Sequence, residues 1–438
     1  MGANWRFIRQ TFSLVQSLLE SPKPSGLKRH PAHFTRHGPL SVDLIITLLL
    51  HLVADGGRRG YRHLLDAFWG EAKSHGLRLP TDQPISAAAF CKARQKLRPE
   101  VIRCLVNEVA EAFDWDHGKL HRFCKRRILA IDCSKMFVQR TAKLWREFGG
   151  PPASHAPQLT LTVLYDVIGK VVIDGTIAPY GCNERDQMIA LLSHVQPGDV
   201  LVLDRGFPSY EVIEVLFAKG IDFVMRVPAT RSFPAIKSFL KSRQMDGGVV
   251  IVREKSSYRE GHGPFQLRLV KHKGIDGKSQ LLLTSLGRSE FSTSKIIALY
   301  RRRWEIELCF RLQKSDYVGH GQFHAQTPEG VKQEVYAMLL FFAISRHFMA
   351  AAAKLHKVAY RDISQKGAIL TVAGCLTRLL LEHRSEHALT LLQEVLIRLS
   401  RRLERVRPGR SFPRRSFRPR PRWGPQGRVF DPLPEPIG

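Results

Sequence analysis

The sequence predicts a mixed α/β protein whose core is flanked by helical regions. About the first 120 residues show helical spacing and helix caps. Residues 127–227 alternate strand-like runs with helices, and residues 229–289 carry further strand-like runs between glycine-rich turns. With 438 residues, 44% of them apolar, the chain can form two or three packed units with real hydrophobic cores.

The charge balance predicts a polyanionic partner. The chain has 68 Lys and Arg against 39 Asp and Glu, a formal net charge of +29, and an isoelectric point near 10.3. Such an excess favours nucleic acid as the ligand. Ribosomal and other RNA-binding proteins share this balance, so charge alone identifies the ligand class and no more.

A basic segment near the N-terminus is a candidate DNA contact. Ser86 is placed to cap a short helix that ends before Pro99, and this helix carries Lys92, Arg94 and Lys96. These side chains fit a helix-turn-helix-like contact with DNA, and they fit a solvated basic face equally well. We interpret residues 1–122 as a helical DNA-binding domain.

Neither the cysteines nor the apolar runs suggest a secreted or membrane protein. The seven cysteines are scattered and never form a C-x-x-C pair, which predicts reduced thiols rather than a disulfide framework or zinc finger. The runs Leu44–Val53 and Val335–Ile344 fall short of the roughly 20 residues that span a bilayer, so we predict core helices. No secretory signal pattern is visible at the N-terminus, and we expect a cytoplasmic protein without a membrane partner.

The centre of the chain has the element order of an RNase H-like core. Three strands, a helix, a fourth strand, a second helix and a fifth strand are predicted over residues 123–228. The predicted strands are Arg127–Asp132, Leu159–Tyr165, Val171–Ile177, Asp199–Asp204 and Phe223–Val227, and the helices are Asp186–Val195 and a segment from Tyr210.

The remaining boundaries follow from changes in pattern. Residues 229–289 are predicted to be an all-β insertion, and residues 290–360 to be the C-terminal helical part of the core. Residues 361–404 are predicted to form helices available for dimerisation. Residues 405–438, rich in Arg and Pro, are predicted to be a disordered tail because they lack apolar surface to bury.

Two aspartates lie within or at the end of predicted buried strands. Asp132 lies in an apolar strand, where an ionised carboxylate is costly unless a cation or hydrogen-bond donors compensate it. Asp204 closes the run before Arg205 and Gly206, at the carboxyl end of a strand, where α/β sheets bind ligands. A pair of such carboxylates suits Mg²⁺ or Mn²⁺. The alternatives are that Asp132 is a strand-end aspartate paired with a nearby arginine and that Asp204 is an ordinary aspartate between strand and loop.

A third carboxylate lies in a helix predicted over residues 294–314. Tyr300, Glu307 and Lys314 drift only about 20° per seven residues and so share one face. Arg303 and Arg311 lie four residues from Glu307 on either side. A solvated ladder of ion pairs is the alternative, but apolar residues between positions 306 and 310 favour a packed helix.

These features together resemble the DDE transposases of the bacterial insertion-sequence-four family. The spacing Tyr-x-x-Arg-x-x-x-Glu, then six residues and Lys, matches that family's signature at Tyr300, Arg303, Glu307 and Lys314. The resemblance covers roughly residues 30–360. It implies cleavage of double-stranded DNA at transposon ends and strand transfer into a target, by a homodimer in a synaptic complex on the bacterial nucleoid.

The resemblance also implies roles for individual residues. Asp132, Asp204 and Glu307 would be catalytic and would hold two divalent ions, Mg²⁺ or alternatively Mn²⁺. Phosphate contacts are expected from the neighbouring basic and phenolic side chains, namely Arg205, Tyr300, Arg303, Arg311 and Lys314. Relatives that excise through a DNA hairpin stack a flipped base on an aromatic residue of the insertion, often Trp. Residues 229–289 lack Trp, leaving Phe233, Phe239, Tyr258 and Phe265 as substitutes.

Two other functions remain as alternatives. Another RNase H-like nuclease would need the carboxylates but not the face formed by Tyr300, Arg303 and Lys314. A non-catalytic nucleic-acid-binding protein descended from a transposase would be expected to have lost at least one carboxylate. The H-x-x-E-H pattern at residues 383–387 spells a zinc-protease motif but has no evident third ligand.

Overall fold

The computed structural model describes most of the chain. The described residues are 28–30, 32–34, 38–56, 59–152, 154–228, 233–242, 244–252, 264–274, 277, 279–317, 323–382 and 384–404. The Arg/Pro-rich tail 405–438, residues 1–27 of the predicted N-terminal domain, Tyr258 and His383 lie outside them.

One eight-stranded sheet lies at the centre of the described chain, with the strand order β3-β2-β1-β4-β5-β8-β7-β6. The strands are β1 (Ile128–Phe137), β2 (Gln158–Asp166), β3 (Val171–Pro179), β4 (Val200–Leu203), β5 (Asp222–Val227), β6 (Asp246–Ile251), β7 (Phe265–Lys273) and β8 (Ser279–Thr284). β1 pairs antiparallel with β2 and parallel with β4, and β4 pairs parallel with β5. The order 3-2-1-4-5 confirms the RNase H-like core predicted from the sequence.

Helices surround the sheet. Those before and within the core are α1 (Val42–Ala54), α2 (Tyr61–Ser74), α3 (Ala87–Arg94), α4 (Glu100–His117), α5 (Ala142–Phe148), α6 (Glu184–Leu191), α7 (Tyr210–Ala218) and α8 (Pro234–Lys241). Those that follow are α9 (Thr293–Arg301), α10 (Trp304–Arg311), α11 (Pro328–His356), α12 (Gln365–Ala373), α13 (Leu376–Leu381) and α14 (Ser385–Arg401). Short 3₁₀ turns cover Gly118–Leu120, Leu192–His194 and Tyr360–Asp362, and a π-helix covers Leu312–Tyr317.

Serine caps start the N-terminal helices where the sequence predicts them. The Ser41 hydroxyl accepts a hydrogen bond from the amide of Leu44, and the Ser86 hydroxyl accepts one from Ala89. Each cap satisfies an amide that the first helical turn leaves without a partner.

The two faces of the sheet bury separate apolar layers. Along β1, Ile128 and Ala130 belong to one layer, and Leu129 and Ile131 belong to the other. This alternation follows from the two-residue period of a strand. The first layer packs against the N-terminal helices, α11 and the C-terminal helices, whereas the second packs against α6, α7 and α8. Layers of helices therefore cover both faces of the sheet.

The helix α11 (Pro328–His356) lies in the first apolar layer. Among the described residues it is the one helix long and apolar enough to cross a membrane, and its apolar stretch is entirely buried inside the protein. The predicted core helices over Leu44–Val53 and Val335–Ile344 are confirmed, since these segments lie within α1 and α11 and are largely buried.

The insertion over residues 229–289 differs from the all-β prediction. It contains the helix α8 (Pro234–Lys241), and its three strands extend the core sheet because β8 pairs with β5. Two sequence signals favour this helix: Pro234 at its first turn, and Ile236 and Phe239 at a helical spacing that buries both. The Thr284 hydroxyl donates to the carbonyl of Phe223 and fixes the junction between β8 and β5.

The C-terminal helix α14 packs onto α11 within the same chain. Five apolar side chains form its buried face: Ala388, Leu392, Val395, Leu396 and Leu399. That apolar face is therefore not available for the predicted dimerisation, and a dimer formed through α14 would have to use its polar face.

A partly buried ion pair joins the helix α4 to the sheet. Arg103 donates from Nε and Nη2 to the two carboxylate oxygens of Asp174 on β3, at 2.8 and 2.6 Å, and His194 Nε2 lies 3.2 Å from the same carboxylate. Burial alone would raise the pKa of Asp174, but the hydrogen bonds from Arg103 and His194 outweigh burial and lower it to about 2.

The stability contributed by Asp174 should depend on pH. Its folded pKa lies below the usual value of 3.8, so the contribution is present above about pH 4 and is lost as the pH falls towards 2. In urea unfolding at pH 7, Asp174→Asn should be less stable than the natural protein by about 2 kcal/mol. The difference should shrink as the pH is lowered from 5 to 3, whereas Asp66→Asn, at an exposed position, should change stability little at any pH. A difference that stays constant across this range would contradict the assignment.

Candidate active site

Asp132 and Asp204 lie side by side on neighbouring strands. Ala130 on β1 is paired with Val202 on β4 in parallel register, and each aspartate comes two residues later in its chain. Both carboxylates therefore lie where the paired segments of β1 and β4 reach their carboxyl ends. This is the edge at which α/β sheets bind ligands. Asp132 lies in β1 opposite Val163 of β2, and Asp204 follows the last residue of β4.

The segment that carries Glu307 is not the single helix predicted over residues 294–314. The helix α9 ends at Arg301, a turn follows at Arg302 and Arg303, and α10 starts at Trp304. After Arg311 the backbone continues as the π-helix Leu312–Tyr317. π-Helical turns are rare and frequently occur at functional sites. The face expected from regular 3.6-residue spacing is therefore built from three short segments.

Arg303 brings the three carboxylates into one electrostatic site. Its Nη1 lies 3.6 Å from Asp132 Oδ2, and its Nη2 donates to Glu307 Oε1 at 2.5 Å. Burial would lower the pKa of Arg303, but the charge of Asp204, with those of Tyr300 and Glu307, outweighs burial and raises it. Arg303 is only 9% exposed, so this guanidinium is held between the sheet and α10. The turn at residues 302–303 places it there.

Tyr300 and Lys314 complete the group. The Tyr300 hydroxyl donates to Asp204 Oδ1 at 3.3 Å, and burial, together with the charge of Asp204, raises the pKa of Tyr300 to about 12. Burial lowers the pKa of the Lys314 ammonium, and Asp132 opposes this shift. The four signature residues thus lie around Asp132 and Asp204, although the backbone that carries them is not the single helix that their spacing predicts.

The surroundings of Asp132 disfavour its ionised form. Burial raises the pKa of Asp132 to about 6; Asp204 and Glu307 add to the rise, and the amide of Cys133 and the Arg303 guanidinium oppose it. The amide of Cys133 donates to Asp132 Oδ1 at 2.8 Å. A divalent cation bound beside Asp132 would therefore stabilise its ionised form.

The donor set fits a hard divalent cation. Asp132, Asp204 and Glu307 supply only oxygen ligands, and their side chains retain partial exposure through which an ion can enter, 24% for Asp132 and 34% for Glu307. Oxygen-rich sites of this kind favour Mg²⁺ and Mn²⁺ over softer metals.

Two other predicted phosphate contacts lie at exposed positions. Arg205 follows Asp204 directly and is exposed, and Arg311 is exposed at the end of α10. The loop after β4 is held by Arg185 of α6, whose guanidinium donates to the carbonyls of Gly206 and Pro208 at 3.3 and 3.4 Å. Arg205 is thereby presented on a supported loop beside Asp204.

The basic helix α3 requires a correction. Lys92 and Lys96 are exposed, but Arg94 is 3% exposed and forms an ion pair with Glu334 of α11 at 2.8 Å. Its other nitrogens donate to Gln333 Oε1 at 2.8 Å and to the carbonyl of Gly330 at 2.7 Å. The prediction that Arg94 contacts DNA is wrong, because all three branches of its guanidinium are bound inside the protein.

The remaining predicted aromatic residues of the insertion are also inside the protein. Phe233, Phe239 and Phe265 are each at most 8% exposed and pack in the second apolar layer. In this conformation none of the three can stack on a flipped base.

Sequence reasoning missed Arg226 on β5. It follows Met225, which pairs with Leu203 on β4, just as Asp204 follows Leu203, and its charge opposes the rise that burial causes in the pKa of Tyr300. A charged residue inside the apolar run Phe223–Val227 is the signal that could have identified it.

Comparison with known proteins assigns the family. A family model described as "Transposase DDE domain" matches residues 124–344, which is just over half of the chain and includes Asp132, Asp204 and Glu307. The chain therefore belongs to the transposase DDE domain family.

Individual relatives agree with this assignment. The chain is similar to "Transposase InsG for insertion sequence element IS4" of Escherichia coli (strain K12), with 23% identity over 294 residues, 63% of this chain and 64% of that protein. The chain thus spans slightly less than two thirds of this relative's length. Together with the family match, this likeness confirms the predicted resemblance to the insertion-sequence-four family.

A solved structure of a transposase also overlaps most of the chain. The piggyBac transposase, determined by cryo-EM as a synaptic complex with hairpin DNA, has a TM-score of 0.45 and 13% identity, covering 94% of this chain and 87% of that one.

Proposed function

We propose that this protein is a metal-dependent DNA transposase that cleaves double-stranded DNA at the ends of its element and joins those ends to target DNA. The observation that carries this proposal is the grouping of Asp132, Asp204 and Glu307 around Arg303, inside the residues that match the transposase family. The net charge of +29 supports a polyanionic substrate.

The carboxylates are proposed to be the metal ligands. Asp132, Asp204 and Glu307 would hold two Mg²⁺ ions, with Mn²⁺ as a substitute. Bound there, the ions would supply Lewis-acid activation of a water or a DNA 3′-hydroxyl and charge stabilisation at the scissile phosphate.

The surrounding side chains are proposed to position DNA and the ligands. The Tyr300 hydroxyl orients the carboxylate of Asp204, and Arg303 orients those of Asp132 and Glu307. Lys314, Arg205 and Arg311 extend positive charge beside the carboxylates and would contact backbone phosphates. Lys92 on α3 and Lys96 in the turn after it remain candidates for a more distant contact.

The cellular setting of the proposed function follows the family. We expect a homodimer in the synaptic complex, acting on the nucleoid in the bacterial cytoplasm. Because the apolar face of α14 is buried within one chain, the dimer contact should involve other surfaces or form together with DNA.

The direct test uses the DNA on either side of the gene. A labelled duplex that spans each gene boundary is incubated with the full-length protein and Mg²⁺, and the positions of nicks are mapped. Cleavage at fixed positions on both flanks, and its loss with EDTA, is the expected result. Binding of these duplexes without cleavage in either Mg²⁺ or Mn²⁺ would favour a non-catalytic DNA-binding protein.

Tyr300→Phe tests the positioning of Asp204. The change removes one hydroxyl and its 3.3 Å hydrogen bond while retaining the ring in its packed position. Loss of a group that orients a metal ligand typically costs about 10- to 100-fold in activity or metal affinity. We expect cleavage to fall by that factor and the Mg²⁺ concentration for half-maximal rate to rise, with the melting temperature unchanged. A normal Mg²⁺ dependence would show that Tyr300 acts elsewhere.

A further inference from the structure

A second group of metal-ligand side chains lies between α4 and α11. Asp116 and His117 are the last two residues of α4, and His347 lies within α11. One ligand atom from each residue lies within 4.8 Å of the other two. None of the three belongs to the elements that carry Asp132, Asp204 and Glu307.

His347 is buried without a hydrogen-bond partner. Its side chain is 0% exposed, and within the described part of the chain neither ring nitrogen makes a hydrogen bond. The nearest carboxylate oxygen, Asp116 Oδ2, lies 3.7 Å from His347 Nε2, beyond hydrogen-bonding distance. Leaving a buried polar atom unsatisfied is costly, so this imidazole calls for a ligand of another kind.

The spacing of the donors suits a tetrahedral metal. Zinc–nitrogen and zinc–oxygen bonds of about 2.0–2.2 Å place neighbouring ligand atoms about 3.3 Å apart. The distance of 3.7 Å from Asp116 Oδ2 to His347 Nε2 needs only a small contraction. The rings of His117 and His347 lie 4.9 Å apart between centroids and at 68° to each other, and a ring nitrogen of each lies within 4.8 Å of the other and of an Asp116 oxygen.

A nearby cation is the competitor for Asp116. The charge of Lys354 acts on the Asp116 carboxylate, and its ammonium would compete with a metal for this ligand.

We propose that Asp116, His117 and His347 form a structural binding site for one Zn²⁺ ion. Two imidazoles and one carboxylate are ligands that suit zinc, in contrast to the three carboxylates of the candidate active site. The ion would tie the end of α4 to α11 and so fasten the N-terminal helices to the core helix of the catalytic region. This inference does not depend on the proposed DNA chemistry.

Zinc binding by the full-length protein tests the site directly. Metal-free protein is titrated with Zn²⁺ by calorimetry in the presence of excess Mg²⁺, and its melting temperature is measured with and without Zn²⁺. We expect one tightly bound equivalent and a rise of about 2–5 °C in melting temperature. Glu307→Gln should bind the same equivalent, because the triad does not contribute to this site.

Variants of the cluster separate the site from incidental binding. Asp116→Asn and His347→Gln should each lose the bound equivalent and the rise in melting temperature. His51→Gln should keep both, since His51 is a half-buried histidine that bonds instead to Thr377 at 2.9 Å. If His347→Gln does not fold, Asp116→Asn decides, because the Asp116 side chain is already 14% exposed. Absence of tight binding by the natural protein, or unchanged binding by Asp116→Asn, would overturn the proposal. Asp116 would then be a charge partner of Lys354 and not a metal ligand.

Discussion

Asp132→Asn, Asp204→Asn and Glu307→Gln should each reduce Mg²⁺-dependent DNA cleavage by at least about a thousand-fold, equivalent to about 4 kcal/mol of transition-state stabilisation. Each change keeps the size of the side chain and removes one negative charge from the proposed metal ligands. DNA affinity should change little, because it comes chiefly from the release of counterions by Lys and Arg. Cleavage and equilibrium binding of the same end-containing duplex are to be measured side by side.

Glu305→Gln is the matched control for this series. Glu305 lies on α10 two residues before Glu307, but its Oε2 lies 3.2 Å from the ammonium of Lys170. Cleavage by Glu305→Gln should stay close to that of the natural protein. A triad variant that cleaves as fast as this control would remove its residue from the proposed active site.

The fold was predictable where local pattern and tertiary structure agree. The apolar run containing Asp132 and the run before Asp204 are strands β1 and β4, because an apolar run of four to six residues between loops has few other ways to be buried. Both aspartates lie at one edge of the sheet because β1 and β4 pair in parallel. The order of strands and helices along the chain already suggests this parallel pairing.

The helix with Glu307 shows where periodicity is insufficient. The sequence between residues 300 and 314 contains neither Gly nor Pro, so nothing local predicts the turn at Arg303 or the π-helix after Arg311. Contacts across the chain, such as that from Arg303 to Asp132, are absent from any local pattern. Tyr300, Glu307 and Lys314 still lie around the same site, because the irregular backbone keeps all three on one side of the segment.

The basic segment formed by α3 and the turn after it shows the same limit for predictions made from charged residues. Lys92, Arg94 and Lys96 are equivalent in sequence, yet two are exposed and one is buried. The difference depends on Glu334, which lies 240 positions further along the chain. Only the tertiary structure brings that carboxylate to Arg94.

Arg94→Ala should therefore lower the free energy of unfolding by about 3–5 kcal/mol, the usual cost of removing one partner from a buried ion pair. Glu334 would keep its hydrogen bonds from the Tyr61 hydroxyl and the His324 amide, at 2.9 and 2.7 Å, but would lose its counter-charge. Arg94→Lys should rescue little, because an ammonium cannot reach Gln333, Gly330 and Glu334 together as the guanidinium does. Urea unfolding measures both effects.

Lys92→Ala, on the exposed side of the same helix, should change stability by less than about 0.5 kcal/mol. The double change Arg94→Met with Glu334→Gln should cost less than the sum of the two single changes, because the second removes the charge that the first leaves unpaired. DNA affinity tests the competing role of Arg94 as a phosphate contact. If Arg94→Ala unfolds at the same urea concentration as the natural protein and binds DNA more weakly with a flatter salt dependence, Arg94 contacts phosphate and its ion pair with Glu334 does not stabilise the fold.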